Sequence, residues 1–375
     1  MKWSDRILGV FDMKKVQTDT PALLLDLDAA DRNITHMSNY FRGKKAYLRP
    51  HVKVHKSPFL AHKQIRAGAR GITCAKVSEA EVMAHSGIED ILIANEVIGE
   101  EKLRRLARLA KACQIQVPVD DLENAKQLSR FASLEDVKVG VLVDINLGLN
   151  QEGILNRCGV PPEVPAVKLA REIAQLRNLE FKGLMAYEGG LRKFPEFSDR
   201  KSAVEKALDR VIRTKDMIEE AGLDVETVSC GGTMSYNIDA EVPGVTEVQA
   251  GSYVFMDATY QKFGLDFELS LTVAATVISK PQPEKVIIDA GLKAISADSG
   301  LPIIRARPEL ECIALNAEHG HLKILRPDVS LRREDKLELV PTHVDTTVCL
   351  HDNYTLTRQD EVVGALPIAC RGKLQ

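Results

Sequence analysis

The chain has 375 residues, 45% of them hydrophobic and 27% charged, and its 50 Lys plus Arg against 53 Asp plus Glu leave a net charge of −3. This balance excludes disordered, collagen-like and coiled-coil classes. It offers no bulk attraction for nucleic acid or an anionic membrane, so a small molecule is the expected partner. The apolar runs fall far short of the ~20 residues of a membrane helix, and the first residues mix charge with apolar side chains instead of forming a signal segment; a cytoplasmic address is expected. Seven cysteines, odd in number and without a C-x-x-C spacing, read as mostly buried free thiols.

In chain order, short β-branched runs alternate with amphipathic stretches over the first 250 residues, the signature of a parallel sheet with helical crossovers. The expected strands are residues 22–26, 46–52, 71–76, 90–95, 116–119, 137–145, 179–187 and 226–229. Helices are expected between them, as over residues 101–112, where Leu103, Leu106, Leu109 and Ala110 share a face, and over 167–176. Ser78 with Glu81 three residues on reads as a reciprocal helix cap. Eight strand–helix units in about 240 residues favour a closed α/β barrel of the (β/α)8 TIM type over an open doubly wound sheet. Beyond residue 265 the runs 268–279, 285–289, 323–325, 336–339 and 346–350 are strand-like, which implies a second, mostly β C-terminal domain. The expected division is a barrel over residues 22–264 and a β-rich domain from residues 1–21 plus 265–375.

Barrels carry their reactive groups at the carboxyl ends of the strands. The second strand ends in Arg49-Pro50-His51-Val52-Lys53-Val54-His55-Lys56. Strand alternation would put His51, Lys53 and His55 on one face, where a crowded, partly dry lysine loses affinity for its proton and becomes a nucleophile; a solvated basic loop is the other reading. Two later turns, Gly231-Gly232-Thr233 and Gly251-Ser252-Tyr253, place glycine amides beside hydroxyls near the last strands, where barrels commonly hold a phosphate. Plain glycine turns would look the same. Near the C-terminus, His343 and Asp345 in an extended segment would share a face and could ligate one divalent ion, or form a simple surface pair.

These motifs, with Thr20-Pro21-Ala22, Lys76-Val77-Ser78-Glu79, Asn95-Glu96-Val97, Arg157-Cys158-Gly159-Val160, Asp289-Ala290-Gly291 and Glu318-His319-Gly320, run in order through nearly the whole chain. Together they resemble the pyridoxal-phosphate enzymes of the alanine racemase type, and within them the D-threonine and 3-hydroxy-D-aspartate aldolases, with a D-serine dehydratase-like C-terminal domain. The resemblance implies a homodimer that binds pyridoxal 5'-phosphate. It makes Lys53 the lysine joined to the cofactor, the two glycine turns its phosphate cradle, Tyr187 an aromatic at its ring and Arg157 a contact to the ring substituents. His343 and Asp345 become ligands of a divalent metal, manganese before magnesium or zinc, and His51, His55 or Lys193 the proton shuttle. Three departures stand out: extra residues 150–153 before Arg157, Lys193 where such aldolases often carry histidine, and Ala75 where they often carry glutamine.

The implied activity is metal-assisted cleavage of a β-hydroxy-D-amino acid, D-threonine or 3-hydroxy-D-aspartate, to glycine and an aldehyde or glyoxylate. The alternative is a D-serine or 3-hydroxy-D-aspartate dehydratase. Dehydratases of the type tend to pair His with Cys around zinc, whereas His with Asp suits a harder ion. A non-catalytic cofactor carrier would resemble the barrel alone.

Overall fold

The computed structural model describes residues 13–147 and 157–375. They form two compact units, one of residues 37–53, 58–251 and 373–375, the other of residues up to 36, 54–57 and 252–372. In chain order the strands are β1 (Ala22–Asp26), β2 (Tyr47–Leu48), β3 (Ile72–Cys74), β4 (Asp90–Ile93), β5 (Gln114–Val119), β6 (Val139–Ile145), β7 (Leu179–Ala186), β8 (Thr227–Cys230) and β9 (Glu247–Val248). There follow β10 (Leu271–Gln282), β11 (Lys285–Ile288), β12 (Ile303–Ile304), β13 (Leu310–Leu315), β14 (Gly320–Ile324), β15 (Lys336–Val340), β16 (Asn353–Arg358) and β17 (Glu361–Pro367). The helices are α1 (Leu27–Phe41), α2 (Pro58–Arg66), α3 (Val77–His85), α4 (Glu100–Leu109), α5 (Leu122–Leu134), α6 (Val164–Ile173), α7 (Phe197–Glu220), α8 (Tyr236–Asp239) and α9 (Val344–Val348).

In the first unit β2 to β9 are parallel and ordered β2-β9-β8-β7-β6-β5-β4-β3. The ring closes just past β2, where His51 bridges Thr73, the Val52 amide donates to the Thr73 carbonyl and the Thr73 amide to Pro50, both at 2.8 Å. This is the expected (β/α)8 barrel. Its strands read as near-continuous apolar runs because helices cover the outside; β6 is buried at every position. On α4, Leu103, Leu106, Ala107 and Leu109 are buried while the intervening charges face water. At the amino-terminal end of the barrel the fully buried Arg49 donates to Glu247 at 2.8 Å and to Asp90 at 2.7 Å, the first residues of β9 and β4. Gly71 makes room for it, since a Cβ there would stand 2.6 Å from both Arg49 Nη1 and the Asp90 carbonyl.

The second unit is a mostly β fold, also as expected. Its sheet runs β13-β14-β11-β10-β1-β16-β17, with β15 paired to β10 and β12 to β15.

Four local expectations need correction. Residues 22–26 are not the first barrel strand: β1 runs antiparallel to β10 and parallel to β16. The eighth place in the ring goes to the two-residue β9. Residues 346–350 are not extended: 346–348 belong to α9, which starts at Val344, and 349–350 form a turn. Ser78 does not cap α3: the N-cap is Lys76, Glu79 reaches back to the Ala75 amide at 2.8 Å, and the Ser78 amide donates to the Gln375 carbonyl. The cysteines are all free, four of them buried and Cys158 exposed.

Candidate active site

Past β2 the chain does not continue as a strand; it turns over residues 52–55, so His51, Lys53 and His55 do not share a strand face. His51 is half-buried and Lys53 exposed, in the turn that follows the carboxyl end of a barrel strand. His55 is fully buried within the other unit. Its Nδ1 accepts from the Ser57 amide at 3.1 Å and its carbonyl takes the Tyr354 hydroxyl at 2.6 Å.

The end of β7 gathers several of the expected residues. Tyr187 is 46% exposed, with the Arg157 guanidinium 4.9 Å from its ring centroid. Glycines line the ring's edges: a Cβ at Gly189 would lie 3.2 Å from Tyr187 Cε1, and one at Gly232 3.7 Å from Cε2. Arg157, Tyr187 and the 231–233 turn are thus brought together. The extra residues 150–153 lie outside the described residues. Lys193 closes a 3-10 turn, Leu191–Lys193, with Arg192; both are exposed, and Lys193 Nζ is 5.2 Å from the Phe194 ring centroid.

The 231–233 turn is held from beneath. Gly231 has φ +75°, and a Cβ there would collide with the Asp239 carboxylate, so this turn requires glycine. The Gly231 amide donates to Glu188 Oε2 at 3.1 Å and the Gly232 amide to Ser235 Oγ at 3.3 Å. Glu188, Cys230 and Asp239 converge with donor atoms within 4.8 Å of one another, all fully buried. Burial raises the Glu188 carboxyl to about 7, against the hydrogen bonds from backbone amides that lower it, and raises Asp239 and Cys230 as well, helped by the Glu188 charge. Gly251 follows β9; Ser252 and Tyr253 begin a 3-10 turn, where Tyr253 is fully buried with its ring 5.7 Å from Phe267.

A second acidic cluster at the barrel's carboxyl end, Glu96 with Asp144 and Cys158, has the same 4.8 Å convergence. Burial and then Glu96 push Asp144 to about 9; burial, Asp144 and Glu96 push the Cys158 thiol to about 12. Sequence reasoning passed over both clusters. An aspartate within the apolar run Val139–Ile145 was the one local signal.

In the second unit His343 is the extended N-cap of α9 and Asp345 lies in its first turn, two residues on; both are half-buried. His343 Nδ1 is 2.6 Å from Asp298 Oδ2, and Asp298 Oδ1 accepts from Ser296 Oγ at 2.8 Å and Thr346 Oγ1 at 3.1 Å. Partial burial works against ionisation of Asp298, but the hydrogen bonds from His343 and Ser296 outweigh it and hold the carboxyl below its usual range. A carboxylate only accepts, so Nδ1 carries the proton and Nε2 keeps its lone pair. Nε2 has no hydrogen-bond partner among the described residues. That orphaned imidazole nitrogen, with a carboxylate two residues on, is a donor set that fits a divalent ion.

Comparison with known proteins identifies the family. Residues 25–259 match the model of the alanine racemase N-terminal domain and residues 270–357 that of a serine dehydratase domain. A 3-hydroxy-D-aspartate aldolase of Paracoccus denitrificans is 38% identical over 96% of this chain and 94% of its own. A D-threonine aldolase of Arthrobacter sp is 38% identical over 95% and 93%. The crystal structure of D-threonine aldolase from Filomicrobium marinum superposes with a TM-score of 0.93 at 38% identity, covering 98% of this chain and 99% of that one. The chain belongs to the family of the alanine racemase N-terminal domain, in the company of these aldolases.

Proposed function

We propose that the protein is a pyridoxal-phosphate- and divalent-metal-dependent aldolase that cleaves a β-hydroxy-D-amino acid to glycine and an aldehyde or glyoxylate. The observation that carries the reading is the half-exposed Tyr187 ring, held between Arg157 and glycines at the carboxyl end of β7, on the same unit as the exposed Lys53 amine. The residues present fit the cofactor. Lys53 supplies the anchoring amine, Tyr187 a flat wall for the ring, and Arg157 a fixed cation for a ring oxygen. The glycine turns 231–233 and 251–253 would cradle its phosphate, with Gly232 keeping the chain close to the Tyr187 ring.

When bound, pyridoxal phosphate accepts the electron pair left on the α-carbon as the Cα–Cβ bond breaks. Manganese, held by His343 Nε2 and Asp345, would lower the pKa of the β-hydroxyl that must lose its proton. The exposed Arg192 and Lys193 offer cations to a second substrate carboxylate. His55, fully buried, is a poorer shuttle than the half-buried His51 or the exposed Lys193.

The test supplies D-threonine, D-serine and 3-hydroxy-D-aspartate with the cofactor and manganese and measures glycine against ammonia. Glycine with an aldehyde product is expected; ammonia and keto acid without glycine would make the protein a dehydratase. Reversing the charges of Arg192 and Lys193 should lower turnover of hydroxyaspartate more than of threonine, and equal losses would remove the carboxylate role.

A further inference from the structure

His343 stands at the head of a five-residue helix, where the ring needs a fixed edge to serve as a ligand. A histidine has two nitrogens and a rotatable ring, and an untethered ring presents the wrong tautomer or the wrong edge much of the time. Here both freedoms are removed by one residue. We infer that Asp298 is the positioning residue of the metal site: by accepting from His343 Nδ1–H it fixes the ring's orientation and leaves Nε2 as the ligating nitrogen.

The inference rests on the metal reading above, and four observations support it. The contact is short, 2.6 Å, and it joins residues 45 apart in sequence, so helix geometry does not force it. Asp298 is itself held, its other oxygen taking the hydroxyls of Ser296 and Thr346. Thr346 lies on α9, beside His343 and Asp345, so one carboxylate ties the helix and the imbedded imidazole to the loop that carries it. Finally, the backbone around the ligand is anchored apart from Asp298, since Thr347 Oγ1 donates to the His343 carbonyl at 2.9 Å and accepts from the Ser296 amide at 3.2 Å. Removing the Asp298 side chain should therefore release the ring more than the fold. A carboxylate behind a ligating imidazole also raises its basicity, and losing such a partner typically weakens metal binding about 10–100-fold.

The experiment titrates the metal-free full-length chain with MnCl2, reads free Mn2+ by electron paramagnetic resonance, and follows the 15N resonances of His343 before metal is added. Asp298→Ala should weaken Mn2+ binding about 10–100-fold and turn the single Nδ1–H tautomer into a mixture. Asp298→Asn, whose amide oxygen still accepts from Nδ1–H without lending charge, should lose less affinity and keep the tautomer. Ser296→Ala and Thr346→Ala should each weaken binding several-fold, and they carry the test if Asp298→Ala does not fold. Unchanged Mn2+ affinity with an unchanged tautomer in Asp298→Ala would overturn the inference. So would a loss as complete as that of His343→Ala, which would make Asp298 a ligand. A wild-type chain that binds no Mn2+, or a His343→Ala chain that binds it as the wild type does, would overturn the metal reading and the inference with it.

Discussion

The charges singled out in the two units sit in opposite settings. The barrel unit buries them: Arg49 with Glu247 at the amino-terminal end, and Glu188, Asp239 and Asp144 toward the carboxyl end, are at most 5% exposed. The β unit leaves its His343–Asp298 pair in partial contact with water, with 43% of the Asp298 side chain and 26% of that of His343 exposed. Within the barrel the contrast repeats. The amino-terminal charges are paired, Arg49 satisfying two carboxylates, whereas no cation is among the neighbours that shift Glu188 and Asp239. Barrels keep stability at one end of the strands and chemistry at the other, and this chain places its ion-paired carboxylates and its buried carboxyls without a cation accordingly.

The largest effect that would break this division lies at the chemical end. Lys53→Ala should lower turnover by at least about a thousandfold, as loss of a covalent participant does, and abolish the visible absorbance of the bound cofactor. Lys53 is exposed, so the thermal midpoint of the cofactor-free protein should hardly move. A variant that keeps the absorbance would remove Lys53 as the anchor.

Arg49→Met probes the other end. It strands Glu247 without its counter-charge in a site that is 1% exposed, and such a loss costs about 3–5 kcal/mol. Urea unfolding should show it, and adding Glu247→Gln should return part of the stability. A loss under about 1 kcal/mol would mean that the pair is not the structural device it looks to be.

The pattern of apolar runs made the barrel legible and gave the right number of strands, yet one member was wrong. Ala22-Leu23-Leu24-Leu25-Asp26 is apolar on both faces, as a barrel strand must be, but so is a central strand sandwiched in the other sheet, and periodicity cannot separate them. β9, two residues long and begun by a glutamate, carries no pattern at all; its place is fixed by hydrogen bonding to β8 and β2. The glycine turns and the Lys53 segment were visible because reactive loops follow strand ends. The turn at residues 52–55, which sends His55 inward, was not, since alternation assumes that the strand continues. Asp298 escaped for a different reason: its meaning depends on a contact 45 residues away.

A smaller effect sharpens the contrast inside the barrel. Burial holds the Glu188 carboxyl above its ordinary value of 4.5, at about 7. A folded-state pKa raised in this way gives stability that is fully present below pH 4.5 and is lost as pH rises through 7. Glu188→Gln, neutral at every pH and still able to accept from the Gly231 amide, should remove that slope. The unfolding free energy of the cofactor-free protein, from urea titrations between pH 5 and 8, should fall with pH in the wild type by on the order of 1–3 kcal/mol and vary less in the variant. Parallel profiles would show that Glu188 does not titrate in this range.

The smallest effect tests the β unit. Tyr354 is fully buried and donates its hydroxyl to the His55 carbonyl at 2.6 Å, while its ring packs 5.8 Å from Phe255, which in turn meets the His55 ring at 6.5 Å. Tyr354→Phe deletes the hydrogen bond and keeps the packing, so it should cost about 1 kcal/mol, well below Arg49→Met. The same variant speaks to His55. Because both the ring and the carbonyl of this histidine are engaged in packing and hydrogen bonding, its part is to hold the chain where it turns away from Lys53. Loosening it should raise the Michaelis constant for substrate or the dissociation constant for cofactor before it touches the chemical step. If Tyr354→Phe instead lowered kcat sharply with stability unchanged, His55 would belong among the proton-transfer groups, and the claim that the β unit keeps its chemistry near its surface would fail.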